Sequence, residues 1–156
     1  MTRVMNRSET LSKSSREYPS RPLVGVGALI VEANRIVLVR RGSPPSKGEW
    51  SIPGGLIRVG ETLRDAVVRE SFEETGLSVE PGELVELVER IVPDDQGRFR
   101  YHYVIADFLC RVSGGGLRAG SDAPDAKWVP REQLEAMGLA DITLKVVWAA
   151  FERSRV

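Results

Sequence analysis

Apolar and polar positions change period several times along this chain, and each change marks an element. Residues 23–32 are almost all apolar or glycine, which predicts a buried strand. Ala33-Asn34-Arg35 predicts a tight turn, and residues 36–40 the returning strand. Gly25 and Gly27, inside the first of these strands, predict close packing or the approach of a ligand. Between about Thr62 and Thr75 the period becomes helical: Leu63, Ala66 and Val67 form one apolar stripe, and Val68 and Phe72 a second on the far side. Thr62 followed by Asp65 is a start resembling a capping box, and Gly76 is placed to stop the helix in a left-handed conformation. Further on, strands are predicted at residues 77–80, at 84–92 after a Pro81-Gly82 turn, and at 99–112 after a turn over residues 93–97. Residues 113–120 form a Gly-rich turn, and residues 122–129 lead into a last strand. A short helix begins at Pro130, and residues 143–153 are amphipathic with Leu144, Val147, Trp148 and Phe151 on one face. Strand, helix, several strands and helix in that order suit an α+β sandwich.

The first helix carries a conflict. Glu70 and Glu74 fall near the middle of its apolar stripe and Glu73 at the edge, so a helix that is apolar on two sides, and hence covered on two sides, holds carboxylates. Side chains three and four positions apart face each other, like charges repel, and desolvation adds to the cost. Such a cluster calls for a cation or for raised pKa values. A hard divalent ion answers the need, and Mg²⁺ fits because it binds a few carboxylates, keeps several waters and meets substrate phosphates. The alternative is a solvated Glu-rich face. Arg40 and Arg41 leave the second strand just before the Pro/Gly/Ser/Lys loop at residues 42–48. They either reach a substrate phosphate, which a guanidinium pairs in bidentate fashion, or end the strand in solvent. His102, the only histidine, reads as a hydrogen-bonded strand residue, and Phe99, Tyr101 and Tyr103, on one face, read mostly as core.

Composition narrows the classes. The 156 residues hold 22 basic and 22 acidic side chains, so no overall basic field draws a nucleic-acid polymer. One cysteine, Cys110, excludes an internal disulfide and makes an intracellular, cytoplasmic setting the default. No apolar run reaches the length of a membrane span. Residues 1–21, rich in Ser, Arg and Glu, read as a disordered or loosely attached extension, and the domain occupies residues 22–156.

Gly55, Glu61, Arg69-Glu70-Ser71-Phe72-Glu73-Glu74-Thr75-Gly76 and Leu77, with their spacing, resemble the Nudix box of hydrolases that act on nucleoside diphosphates linked to another group. The resemblance includes the lead-in Trp50-Ser51-Ile52-Pro53-Gly54-Gly55 and covers the chain from about Pro22 onward. It departs at Ser71, where the box has an apolar residue, which bears on packing more than on chemistry. It implies an α/β/α sandwich with a mixed β-sheet, and Glu70, Glu73 and Glu74 as ligands of Mg²⁺, or Mn²⁺ in its place, with a carbonyl at Gly54 or Gly55. It also implies that Arg69 pairs with Glu61 to hold the loop and helix together. The general base is then Glu70 or an acid outside the box, Asp122 or Asp125, while Arg40, Arg41 and Gly54 are the candidates for substrate contact. Among members the chain looks most like ADP-ribose pyrophosphatases, which yield AMP and ribose 5-phosphate. Pro93 stands where these often carry a proline. The alternatives are a sanitising nucleoside triphosphate pyrophosphohydrolase and a nucleotide-binding module without catalysis. A homodimer is common in the family.

Overall fold

A computed structural model of the chain describes residues 16–118, 120, 123 and 125–155, so the readings made for residues 1–15 and for Asp122 lie outside the described residues. Its elements are β1 (Leu23–Glu32), β2 (Arg35–Arg40), β3 (Trp50–Ser51), β4 (Gly54–Leu56), α1 (Leu63–Thr75), β5 (Leu77–Pro93), β6 (Phe99–Gly115), β7 (Asp125–Pro130), a 3₁₀ helix (Arg131–Met137) and α2 (Asp141–Ser154). Ala33 and Asn34, at φ 50° and 60°, form the two-residue turn between β1 and β2, the left-handed pair whose twist suits a tight hairpin. The sheet runs β3-β2-β1-β6-β5, with β7 on β2 and β4 on β1. β1 and β6 are parallel and the other pairs antiparallel, which makes the sheet mixed.

Alternation along the strands divides the core into two layers. Leu29, Ile36, Leu38, Val88 and Val129 pack with Val146, Val147, Ala150 and Phe151 of α2. Val26, Ala28, Ile30, Val37, Ala106 and Phe108 pack with Ala66 and Val67 of α1. The result is the α/β/α sandwich, with one helix on each face. Among the described residues no helix is long and apolar enough to cross a membrane.

β1 changes partner along its length. Gly25, Val26 and Gly27 pair with β4, whereas Val31 and Glu32 pair with β2. The opening between β4 and β2 is where the cavity described below forms. Gly54 lies so close to β1 that a Cβ there would strike the Val26 carbonyl oxygen and come within 3.0 Å of the Gly27 Cα. A central strand cannot yield, so Gly54→Ala is expected to cost about 1–3 kcal/mol. The loss would be read as a lower urea midpoint at unchanged m-value.

Several expectations are corrected. Residues 77–80 and 84–92 are one strand, because Pro81 and Gly82, on an edge strand, are absorbed as an irregularity in register rather than as a turn. β6 runs three residues beyond Val112. The short strands β3 and β4 were not anticipated. The helix after Pro130 is a 3₁₀ helix, and the buried face of α2 is Val146, Val147, Ala150 and Phe151, with Leu144 and Trp148 at its margin. The second stripe of α1 is not covered: Val68 and Phe72 are 39% and 49% exposed, and the packed face is Ala66, Val67, Ser71 and Thr75. Thr75 is accommodated there because its hydroxyl donates to the Ser71 carbonyl and accepts from the Leu77 N–H. Phe99 is exposed while Tyr101 and Tyr103 are buried and stacked.

The described end of the N-terminal stretch touches the β5–β6 hairpin. The Tyr18 N–H donates to the Arg100 carbonyl at 2.8 Å, its hydroxyl donates to Asp94 at 3.1 Å, and the Arg98 guanidinium lies over its ring.

Candidate functional site

Helix α1 begins where the Thr62 hydroxyl caps the Asp65 N–H and ends at Gly76, φ 74°, where a side chain would be strained. Both signals are local, so the helix is held in register whatever its flanks do. On its site-facing side the organising group is Arg69, whose five N–H groups meet five acceptors. Nε and Nη2 grip the two oxygens of Glu61 at 2.7 and 2.8 Å. Nη1 donates to Glu70 at 2.7 Å and to Glu73 at 3.3 Å, and Nη2 also donates to the Leu56 carbonyl at 3.1 Å. One guanidinium thus joins β4, the loop before α1 and the helix itself.

The two carboxylates closest to Arg69 respond in opposite ways. Glu61 receives the bidentate fork, and this, with the Arg58 N–H, outweighs desolvation and lowers its pKa. Glu70 receives a single bond, and burial outweighs the arginine, so its pKa rises. For Glu61 the sign follows: with a folded pKa below the ordinary 4.5, its stabilising contribution is complete above that value and is lost as pH falls through the lowered one. The stability advantage of the wild type over Glu61→Gln, measured by urea unfolding, is expected to be constant above pH 5 and to shrink on acidification. An advantage that grew as pH fell would contradict the assignment.

Glu70 is 14% exposed and its carboxyl lies over Gly55, where a Cβ would come within 2.6 Å of Oε1. Glu74 accepts from the Gly54 N–H at 3.2 Å. These two side chains and the glycine turn line one wall of a cavity of about 210 Å³. Glu73 stands apart, 44% exposed and facing Arg69 and Arg58. Among the described residues no three acidic, His or Cys side chains are gathered as closely as a metal-binding cluster. The hard oxygen donors of Glu70 and Glu74 beside a turn with no side chain nevertheless suit a small divalent cation. The structure thus brings Glu61, Arg69, Glu70, Glu74, Gly54 and Gly55 together and leaves Glu73 on the rim.

Arg40 and Arg41 both reach the cavity, in different settings. Arg40 lies against the Trp50 ring, and Arg41 is partly enclosed, its Nε donating to the Pro45 carbonyl at 2.7 Å. Burial, and then the charge of Arg90, lower the Arg41 pKa. Asp125 is exposed on β7, in register with Arg40, and does not line the cavity. His102 is half-buried, in register with Ile91 on β5. Three further charged residues of the cavity escaped the sequence reading: Arg16, Arg90 and Asp107. For Asp107 a signal existed, since it is the lone acid in the apolar run 103–110. Arg16 lies in a stretch with no period and offered none.

A sequence model of the NUDIX domain matches residues 21–147. An ADP-ribose pyrophosphatase of Methanocaldococcus jannaschii is 38% identical over 107 residues, 69% of this chain and 61% of that protein. A human 8-oxo-dGDP phosphatase is 31% identical over 115 residues, 71% of this chain and 33% of that protein. This chain therefore spans less than two thirds of the length of either relative. Among solved structures, an ADP-ribose pyrophosphatase from Streptococcus suis has a TM-score of 0.67 at 27% identity, covering 87% of this chain and 94% of that one.

Proposed function

Because this chain belongs to the Nudix family, we propose that it is a divalent-metal-dependent hydrolase of the phosphoric anhydride bond in a nucleoside diphosphate linked to another group, with ADP-ribose as the leading substrate. The observation that carries this reading is the meeting of Glu70, Glu74 and the Gly54-Gly55 turn on one cavity wall, held in place by Arg69. A bound Mg²⁺, or Mn²⁺ in its place, would be held by Glu70 and Glu74 with Glu73 from the rim and a carbonyl of the Gly54-Gly55 turn, and when bound it neutralises phosphate charge and makes a water a better nucleophile. The diphosphate lies between this wall and Arg41, whose remaining N–H groups orient the phosphate oxygens. Water attacks one phosphorus, the bridging P–O bond breaks, and the water's proton passes to the Glu70 carboxylate. Glu70 is assigned this task because it lines the cavity and Asp125 does not. Arg69 touches no substrate and acts by fixing where the glutamates stand.

The names of the M. jannaschii and S. suis relatives support ADP-ribose, and hydrolysis of its diphosphate would yield AMP and ribose 5-phosphate. The human relative favours a second reading, an oxidised nucleoside diphosphate. The deciding experiment offers the purified protein ADP-ribose, 8-oxo-dGDP and nucleoside triphosphates with and without Mg²⁺. AMP released from ADP-ribose only with metal supports the leading reading. Cleavage confined to 8-oxo-dGDP or a triphosphate replaces the substrate but keeps the chemistry. Binding without cleavage of any of them would make the protein a nucleotide sensor.

A further inference from the structure

Asp107 is 4% exposed, its Oδ1 is enclosed with no hydrogen-bond partner among the described residues, and it lines the same cavity as Glu70 and Glu74. It sits on β6 in register with Gly27 of β1 and Glu86 of β5. Gly27 leaves room for it: a Cβ there would strike Asp107 Oδ1 and lie 2.7 Å from Ile52 Cδ1. Along one face of the β5–β6 pair the cavity changes character in steps, from Arg90 beside Tyr103, through Val88 beside Ile105, to Asp107. Asp107 is four steps along the strand from Tyr103, about 13 Å at the rise of a strand. The arginine end suits phosphate. The other end is walled by Ile52, Val88, Ile105 and Val146 around the Asp107 carboxyl, the one carboxyl there among the described residues.

An apolar slot with one convergent polar group fits a flat ring that is polar along one edge. A sugar, with hydroxyls on all sides, would leave several unpaired against valine and isoleucine. We propose that this end of the cavity receives the nucleobase of the substrate and that Asp107 reads an adenine edge, donating to the ring nitrogen N1 and accepting from the N6 amino group. This deepens the function proposed above and rests on it for the identity of the rest of the ligand. A carboxyl that both donates and accepts is protonated, whereas an ionised one only accepts and matches the paired N–H donors of guanine. Burial, and then the charge of Glu86, push the Asp107 pKa up to about 7, so the donating form exists at neutral pH. Glu86 on β5 is the charged group set against it. β1 offers Gly27 there, the β3–β4 link Ile52, and α2 Thr143 and Val146, none of them charged.

The test is binding of adenosine, guanosine and ribose 5-phosphate to the wild type, Asp107→Asn and Asp107→Ala, followed by NMR at pH 6 and pH 8. Neither nucleoside carries a phosphate, so their own charge is constant over this range. Wild type is expected to bind adenosine about tenfold tighter at pH 6 than at pH 8, because apparent affinity scales with the protonated fraction. Asp107→Asn, whose amide donates and accepts at any pH, keeps the tighter affinity and loses the pH step. Asp107→Ala, which removes the carboxyl that pairs with the base edge, binds adenosine at least about tenfold more weakly. Ribose 5-phosphate is unaffected by either substitution. Equal adenosine affinity in all three proteins, or parallel losses for adenosine and ribose 5-phosphate, would overturn the proposal. A protein that still cleaves a nucleoside diphosphate while ignoring Asp107 would lose this assignment alone, and the hydrolytic reading would stand.

Discussion

Glu74→Gln and Glu70→Gln are each expected to fold as well as the wild type and to lose hydrolytic activity by roughly 10²–10³-fold, the effect of removing one preorganised electrostatic group from a site where charge develops. Stability and activity separate for a structural reason. A glutamine oxygen at position 74 still accepts from the Gly54 N–H, and one at position 70 still accepts from Arg69, so the frame is kept. What disappears is negative charge where a cation has to be held. At position 70 the change even removes a buried carboxylate whose desolvation exceeds what its single arginine bond returns, so the unfolding midpoint should stay level or rise. Urea unfolding beside steady-state kinetics checks both halves. Full activity in both variants would sink the site assignment, and unfolding of either would show that these carboxylates serve the fold.

Arg69→Ala is expected to fail on both counts. It leaves two poorly exposed carboxylates, Glu61 and Glu70, without the cation that compensates them, and breaking such a pair from one side costs about 3 kcal/mol. Glu70 also loses its anchor beside Gly55, so activity falls with stability. Arg69→Lys should recover little, because an ammonium cannot span both oxygens of Glu61 and still reach Glu70 and the Leu56 carbonyl. The deficit of Arg69→Ala should narrow at low pH, where Glu61 and Glu70 take up protons. Near-native stability of Arg69→Lys would show that one charge suffices and that the fork does not matter.

Some features were legible in the sequence because their causes are local. The ends of α1 follow from Thr62 and Gly76, and the β1–β2 turn from Ala33-Asn34 between apolar runs. The break drawn at Pro81-Gly82 was wrong because turn chemistry on an edge strand can be absorbed by a partner that continues past it, and β6 does. The covering of α1 was misjudged because helical spacing shows which residues share a side, not whether another element lies there, and Phe72 is exposed. Within the site, helical spacing brought Glu70, Glu73 and Glu74 to attention, whereas Glu61 and Arg69 entered through the resemblance to the Nudix box. Asp107 is 33 residues beyond Glu74, on another strand, and reaches the cavity only through the pairing of β6 with β1.

That pairing also sets an order of events. β1 is the floor of the site, and its parallel partner begins with Leu23 opposite Tyr103, 80 residues later. On a ribosome, the capped helix and the glycine turn emerge well before β6 exists, with one edge of the first strand still bare. Contacts this distant in sequence form slowly, because a long loop must close before they contribute. A nascent chain halted before residue 99 would carry every acidic residue of the box and still have no slot for a base. During that interval the run Val26–Ile30 would be exposed to whatever binds hydrophobic segments in the cell.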